Sequence, residues 1–138
     1  AVIGGSETGT ETGLFLAERG RAVTILSRAD ALAKDAPPYH YASMLEEAWK
    51  NAPGLSAATG VSRYLEITEE GVWYESRGGE RLLVPAALVV LATGARSRPQ
   101  EAAALRPEGV PARFVGDCIR AGDVHKAISG GFAAAMQI

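Results

Sequence analysis

The residues with the clearest chemical meaning form a glycine-rich loop near the start of the chain. Its six members are Gly4, Gly5, Ser6, Glu7, Thr8 and Gly9. Glycines let backbone N–H groups approach a pyrophosphate closely, and a helix that starts there points its partial positive charge at the phosphates. Gly4 and Gly9 match the first and third glycines of the dinucleotide pattern G-x-G-x-x-G, so the loop is a candidate phosphate site.

Ser6 stands at the second glycine position of that pattern. Its Cβ would push a pyrophosphate outward or shift the loop, unless the hydroxyl itself donates a hydrogen bond to phosphate. A purely structural turn is the competing interpretation of the whole loop. Its position between an apolar strand and a helix favours dinucleotide binding.

A second polar pair, Ser27 and Arg28, follows the next predicted strand about 20 residues further along the chain. An acidic residue there would hold the ribose 2′-hydroxyl of NAD, whereas an arginine suits the 2′-phosphate of NADP. The pair favours NADPH over NADH, and a solvated loop arginine is the alternative. FAD also requires an acid at this point, so the pair argues against an FAD site in the first loop.

Alternating strands and helices must position these residues. Residues 1–3 and 22–26 predict strands on either side of a helix over residues 11–19, which ends at Gly20. The pattern next predicts a helix over residues 41–51, a strand over 55–59 and an antiparallel meander over 61–84. Residues 87–92 predict a fully buried strand at the centre of the sheet, 113–115 a brief strand and 123–138 an amphipathic helix. The fold class is therefore α/β: a Rossmann-like, three-layer nucleotide-binding domain with a parallel sheet and an antiparallel β-meander crossover.

Composition restricts the function classes further. The 138 residues, 47% of them hydrophobic, suffice for a domain with its own core, and a first strand that starts without methionine predicts a fragment. A net charge of −2 predicts no general attraction to nucleic acid or anionic membrane. The single cysteine, Cys118, excludes a C-x-x-C pair and favours a reducing, cytoplasmic setting. His40 and His125 lack partners at metal-ligand spacing, so no metal site is predicted.

Three segments occur in an order and spacing that resemble a known family: VIGGSETGTETGLFLAERGRAVTIL, LVVLATGARSRP and RFVGDC. They resemble the NADH:flavin oxidoreductases related to 2,4-dienoyl-CoA reductase, 2-enoate reductase and trimethylamine dehydrogenase. In that family an old-yellow-enzyme-like barrel with FMN and a 4Fe-4S iron–sulfur cluster precedes an FAD domain. A nicotinamide-cofactor domain of the pyridine nucleotide-disulfide oxidoreductase type is inserted into the FAD domain. The resemblance implies an NAD(P) domain over residues 1–94 and a returning FAD-domain segment over residues 95–138.

The resemblance also assigns roles outside the glycine loop. Glu11 would lie near the nicotinamide amide, with a first-turn acid that complements the helix dipole as the alternative. Thr93 and Gly94 match the segment that crosses back towards the flavin domain, and a simple strand-end turn is the alternative. Gly116 and Asp117 match a G-D motif whose aspartate bonds a ribityl hydroxyl of FAD, although a helix cap would look the same locally.

The function that the resemblance implies is hydride transfer from NAD(P)H to FAD, and onward to an FMN barrel that reduces an enoate or dienoyl-CoA-type substrate. The isolated chain is expected to bind nicotinamide cofactor at most and to be inactive, because the first FAD loop is missing from it. The alternative is a vestigial structural module, as in amine dehydrogenases of the trimethylamine type, with Ser6 marking the lost site.

Overall fold

The computed structural model describes residues 1–34, 36 and 40–137. The chain divides into two compact units, Ala1–Thr93 and Gly94–Ile138. The first unit contains seven strands and two helices in the described ranges: β1 (Val2–Ile3), α1 (Glu7–Glu18), β2 (Val23–Leu26), α2 (His40–Asn51), β3 (Leu55–Ala58), β4 (Val61–Thr68), β5 (Gly71–Ser76), β6 (Arg81–Pro85) and β7 (Val90–Leu91).

A parallel sheet in the order β3-β2-β1-β7 forms the middle layer of this unit. Because side chains alternate along a strand, neighbouring residues serve opposite layers. On one face, Val2 and Ile25 pack with Ala17 of α1. On the other, Ile3 and Leu26 pack against the antiparallel sheet β4-β5-β6. The three-layer α/β fold and the meander predicted from the sequence are therefore confirmed.

Helix α1 begins earlier than the sequence suggested and ends where it was predicted to end. It starts at Glu7 rather than Glu11, so part of the glycine loop is its first turn. At the other end Gly20, with φ +75°, and Arg21 donate backbone hydrogen bonds to Ala17 O and Leu16 O. This is the Schellman arrangement that a glycine after a helix favours.

The prediction of a buried central strand over residues 87–92 was wrong. Only Val90–Leu91 forms a strand, β7, and it lies at the edge of the sheet with β1 as its neighbour. Leu88 and Leu91 are 66% and 65% exposed. An apolar run indicates a strand but does not show what packs against each side chain.

The second unit is described by itself and has α3 (Pro99–Ala104), a 3-10 turn (Gly116–Cys118) and α4 (Val124–Ala135). The strand predicted over residues 113–115 is absent, because no strand in the described part of this unit offers a backbone partner. The sequence missed α3, although a proline at its first position and an alanine run are signals for a short helix. The predicted C-terminal helix is confirmed as α4, with its apolar side chains exposed.

Candidate functional site

The glycine loop lies at the carboxyl edge of the parallel sheet, directly after β1. From β1 the chain passes through α1 to β2 on one side, while β7 lies on the other side. The direction of the strand order thus changes at β1. In open α/β sheets this switch point, outside the carboxyl ends of the strands, is where ligands bind.

Gly4 brings the ends of three strands together. Its N–H donates to Leu26 O at 2.9 Å, and the neighbouring Ala92 N–H donates to Ile3 O at 2.8 Å. Gly4 has φ +117°, and a Cβ there would lie 2.1 Å from Ala92 O. Both the backbone conformation and the lack of space therefore require glycine at this position.

Two glycines let α1 approach the sheet. A Cβ at Gly9 would lie 1.9 Å from Gly4 O, and one at Gly13 would lie 2.5 Å from Ile25 Cδ1. The role of Gly9 follows from the dinucleotide pattern, in which the third glycine serves close helix–strand packing. Sequence reasoning missed Gly13, although its spacing of four residues from Gly9 places the two on one helix face.

Ser6 is the N-cap of α1 and adopts an ordinary extended conformation, with φ −69° and ψ 178°. A side chain is therefore tolerated at this second glycine position without backbone strain. The Ser6 carbonyl accepts from both the N–H and Oγ1 of the fully buried Thr10 at 2.9 Å. The Ser6 side chain makes no capping hydrogen bond. The first-turn N–H groups, which have no partner within a helix, are thus not capped by their own serine.

The rest of the loop is packed on one side and open on the other. A Cβ at Gly5 would lie 2.5 Å from Ser27 Oγ, and Gly5 O accepts from Ala33 N–H at 2.8 Å. Thr8 is exposed, and Glu7 is half-buried in the first helical turn, where an acid complements the dipole.

Ser27 and Arg28 directly follow β2 at the same edge of the sheet. Ser27 is buried, and its backbone bonds Ala58 O and Val61 N–H at 2.8 and 2.9 Å. Arg28 is exposed. Tyr64 of β4 lies beside this strand end and donates its hydroxyl to Leu26 O at 3.1 Å. Burial raises the pKa of the Tyr64 phenol above its usual range, so the hydroxyl stays protonated and remains a donor.

The remaining predicted positions are spread over α1 and the end of the sheet region. Glu11 is exposed on α1, beyond the loop. Thr93 is exposed and closes the first unit. Gly94 opens the second unit with φ +97°, in open space, so its backbone takes a conformation that glycine favours.

Within the second unit, Gly116 and Asp117 form the start of the 3-10 turn. Gly116 has φ +74°, and the exposed Asp117 accepts at Oδ1 from Gly122 N–H at 3.2 Å. The alternative that Asp117 caps the following helix is wrong, because Asp123 is the N-cap of α4. Cys118 Sγ donates a hydrogen bond to Val115 O at 3.1 Å.

Neither a metal cluster nor a membrane-spanning helix occurs among the described residues. The side chain of His40 lies outside them, and His125 is exposed on α4. In the described ranges no three His, Cys, Asp or Glu side chains gather as a metal site requires. None of the described helices is long and apolar enough to cross a bilayer.

The fold and the loop define a dinucleotide-binding domain of Rossmann type. The chain belongs to the pyridine nucleotide-disulphide oxidoreductase family, whose profile matches residues 1–113. It is thus an FAD/NAD(P)-binding domain of an oxidoreductase family. The chain itself holds one cysteine, so the cysteine pair of disulfide chemistry is not in this segment.

Relatives of named activity match nearly the whole chain. The chain is 36% identical to an NADH oxidase of Thermoanaerobacter brockii over 138 residues, which are 99% of this chain and 21% of the relative. It is 36% identical to a bilirubin reductase of Mediterraneibacter gnavus, over 97% of this chain and 20% of that one. A solved 2-naphthoyl-CoA reductase superposes with a TM-score of 0.84 at 25% identity, over 99% of this chain and 20% of that chain. The chain therefore spans about a fifth of the length of these proteins.

Proposed function

We propose that this chain is the nicotinamide-nucleotide module of a larger flavin-dependent reductase. The observation that carries the proposal is the glycine loop at the switch point of the parallel sheet, where α1 begins and the Ser6 side chain makes no capping hydrogen bond of its own. Backbone donors, a helix N-terminus and space for close approach together suit a pyrophosphate. The 36% identity to an NADH oxidase supports a nicotinamide cofactor as the ligand.

Each part of the loop has its own task in this proposal. Gly4 and Gly9 keep β1 and α1 close enough for the first-turn N–H groups to face the phosphates, and Gly5, Ser6, Glu7 and Thr8 complete the loop. Glu11 lies further along α1 and is proposed to contact the nicotinamide amide. Arg28 provides a positive charge for a 2′-phosphate and so favours NADPH. When bound, the cofactor supplies a hydride, while these residues only bind and orient it.

In the longer protein, Gly116 and Asp117 would contact FAD, and Thr93 and Gly94 would connect the two domains. The acceptor beyond FAD is proposed to be an FMN barrel with an iron–sulfur cluster that reduces an enoate or dienoyl-CoA-type substrate in the cytoplasm. A domain boundary at residue 94 accords with the division of the chain after Thr93. Asp117 by itself offers only one carboxylate to FAD. The 138-residue chain is therefore expected to hold no FAD.

The test is a calorimetric titration of the 138-residue chain with NADPH and with NADH, in buffer of low phosphate so that no anion competes for the loop. NADPH is expected to bind more tightly. Arg28→Ala is expected to raise the Kd for NADPH about tenfold, the loss of roughly one charge-assisted hydrogen bond, with little effect on NADH. Arg21→Ala removes the same charge just before β2, at the opposite edge of the sheet, and is the matched control.

A second candidate function is a structural module that has lost its nucleotide, and the serine at position 6 is the observation that favours it. Ser6→Gly distinguishes the two, because a glycine restores the loop pattern without changing charge. If only Ser6→Gly binds NADPH or NADH, the module has drifted from a binding ancestor. If both forms bind, the serine is tolerated, as its unstrained conformation predicts.

A further inference from the structure

The turn between β5 and β6 places a second guanidinium beside Arg28. Arg77 lies in this turn, and its Nη2 donates to Arg28 O at 3.4 Å. Arg77 is distant from Arg28 in sequence and belongs to a different sheet, so no motif of the nucleotide-binding loop includes it. The side chain reaches across from the meander to the end of β2.

The position of Arg77 is fixed by a series of backbone contacts. Ser76 closes the turn by accepting from Gly79 N–H at 3.0 Å and donating to Glu80 O at 2.9 Å. Ser76 also pairs with Val61 in the antiparallel register, and Val61 N–H donates to Ser27 O at 2.9 Å. The meander is therefore attached directly to the strand end that carries Arg28.

Arg28, whose carbonyl accepts from the Arg77 guanidinium, is exposed directly after β2. Its positive charge acts against the burial-induced rise in the pKa of Tyr64, which belongs to β4 of the meander. The Arg77 guanidinium lies against the backbone carbonyl of Arg28, the residue from which the second positively charged side chain extends. Two like charges are thus held near one strand end, an arrangement that an anion would stabilise.

The nearby carboxylate of Asp30 interacts mainly with Lys34 and to a smaller extent with Arg77. Asp30 accepts from Lys34 Nζ at 2.8 Å, and this hydrogen bond holds the pKa of Asp30 below its usual range. At neutral pH the Asp30 charge is therefore compensated mainly by Lys34, its ion-pair partner. In the described ranges neither Arg28 nor Arg77 forms an ion pair with any carboxylate.

We infer that Arg77 is a second specificity-determining residue, which together with Arg28 selects a nucleotide carrying a 2′-phosphate. The inference rests on the proposed function and deepens it, since it assigns NADPH rather than NADH to the same site. A phosphate monoester offers acceptor oxygens for more than one guanidinium, and arginine forks suit phosphate geometry. The meander, which also packs against the parallel sheet, then contributes Arg77 to the specificity for NADPH.

The experiment compares the NADPH and NADH affinities of the 138-residue chain, Arg77→Ala, Arg28→Ala and the double variant. Arg77→Ala is expected to raise the Kd for NADPH about three- to tenfold, as the loss of one exposed charge-assisted contact predicts, and to change that for NADH less than twofold. Arg77→Lys keeps the positive charge but loses the forked geometry of the guanidinium. Its Kd for NADPH should therefore lie between those of the parent chain and Arg77→Ala. Arg21→Ala, with the same charge loss, should leave both affinities unchanged.

The outcomes separate the inference from the proposed function. If Arg77→Ala leaves the ratio of NADPH to NADH affinity unchanged while Arg28→Ala lowers it, the proposed function stands and the role of Arg77 is refuted. If the parent chain binds neither nucleotide, the proposed function fails and this inference fails with it. Circular dichroism of each variant confirms that the exposed substitution leaves the fold intact.

Discussion

Gly13 offers a sharp test of how α1 is seated on the sheet. In Gly13→Ala the new Cβ would lie 2.5 Å from Ile25 Cδ1 and 2.9 Å from Ile25 Cγ1. Both atoms belong to a side chain that is fully buried between α1 and β2, so it has little room to move. Ile25→Val removes Cδ1, the atom that makes the closer of these two contacts. The valine should therefore partly relieve the clash that the alanine creates.

The expected free energies follow from two opposing effects. Overpacking costs about 1–3 kcal/mol, while replacing glycine by alanine within a helix gains about 0.8–1 kcal/mol. Gly13→Ala should therefore destabilise the first unit by about 1 kcal/mol. Ile25→Val alone should cost about 1 kcal/mol. With relief of the contact, the double variant should be about as stable as Ile25→Val alone, which is a coupling of about 1 kcal/mol.

Urea unfolding followed by tryptophan fluorescence measures this coupling. Trp49 and Trp73 both lie in the first unit, so the signal reports on that unit alone. Ile3→Val is the matched control, because it deletes the same methyl group on the face of the sheet that meets the meander. Its effect should add to that of Gly13→Ala. If the changes in unfolding free energy for Gly13→Ala and Ile25→Val add to within about 0.5 kcal/mol in the double variant, the close packing of α1 against Ile25 is refuted.

Two other substitutions test the loop and the second unit. Gly9→Ala places a Cβ 1.9 Å from Gly4 O, a backbone atom that cannot rotate away, so we expect a loss of about 2–3 kcal/mol and of nucleotide binding; wild-type stability in urea would contradict this. A hydrogen bond from Lys126 N–H holds the pKa of Asp123 below its usual range. The stabilisation of α4 by this charged cap is therefore present above about pH 4 and is lost as pH falls through the lowered pKa of the folded state. Asp123→Asn keeps a cap that does not titrate, and its far-ultraviolet dichroism should lack the acid-dependent change below about pH 4 that this cap causes in the parent chain; identical acid profiles would count against the assigned cap.

Local chemistry made much of the first unit predictable. Strand β1, the glycine loop and the end of α1 at Gly20 were all indicated by residues close together in sequence. The meander followed from short alternating stretches separated by glycine turns. In each case the signal lies within a few residues, because glycine conformation and apolar periodicity act locally.

Long-range packing decided what the local pattern left open. The apolar run around Leu91 indicated a strand, but only the strand order shows that it is an edge with its leucines exposed. Residues 113–115 favour extended backbone, yet a strand also requires a hydrogen-bonding partner, and the described part of its unit provides none. Propensity therefore predicted the conformation but not the partner.

The sequence by itself determined that a glycine loop follows the first strand and that Arg28 follows the second. Only the tertiary structure showed that Ser6 fits the loop without strain and that Gly13 is needed against Ile25. It also brought Arg77 from a distant turn to within 3.4 Å of the Arg28 carbonyl. The physical reason is that spacing along the chain fixes neighbours within one element, whereas contacts between elements depend on how the sheets and helices pack.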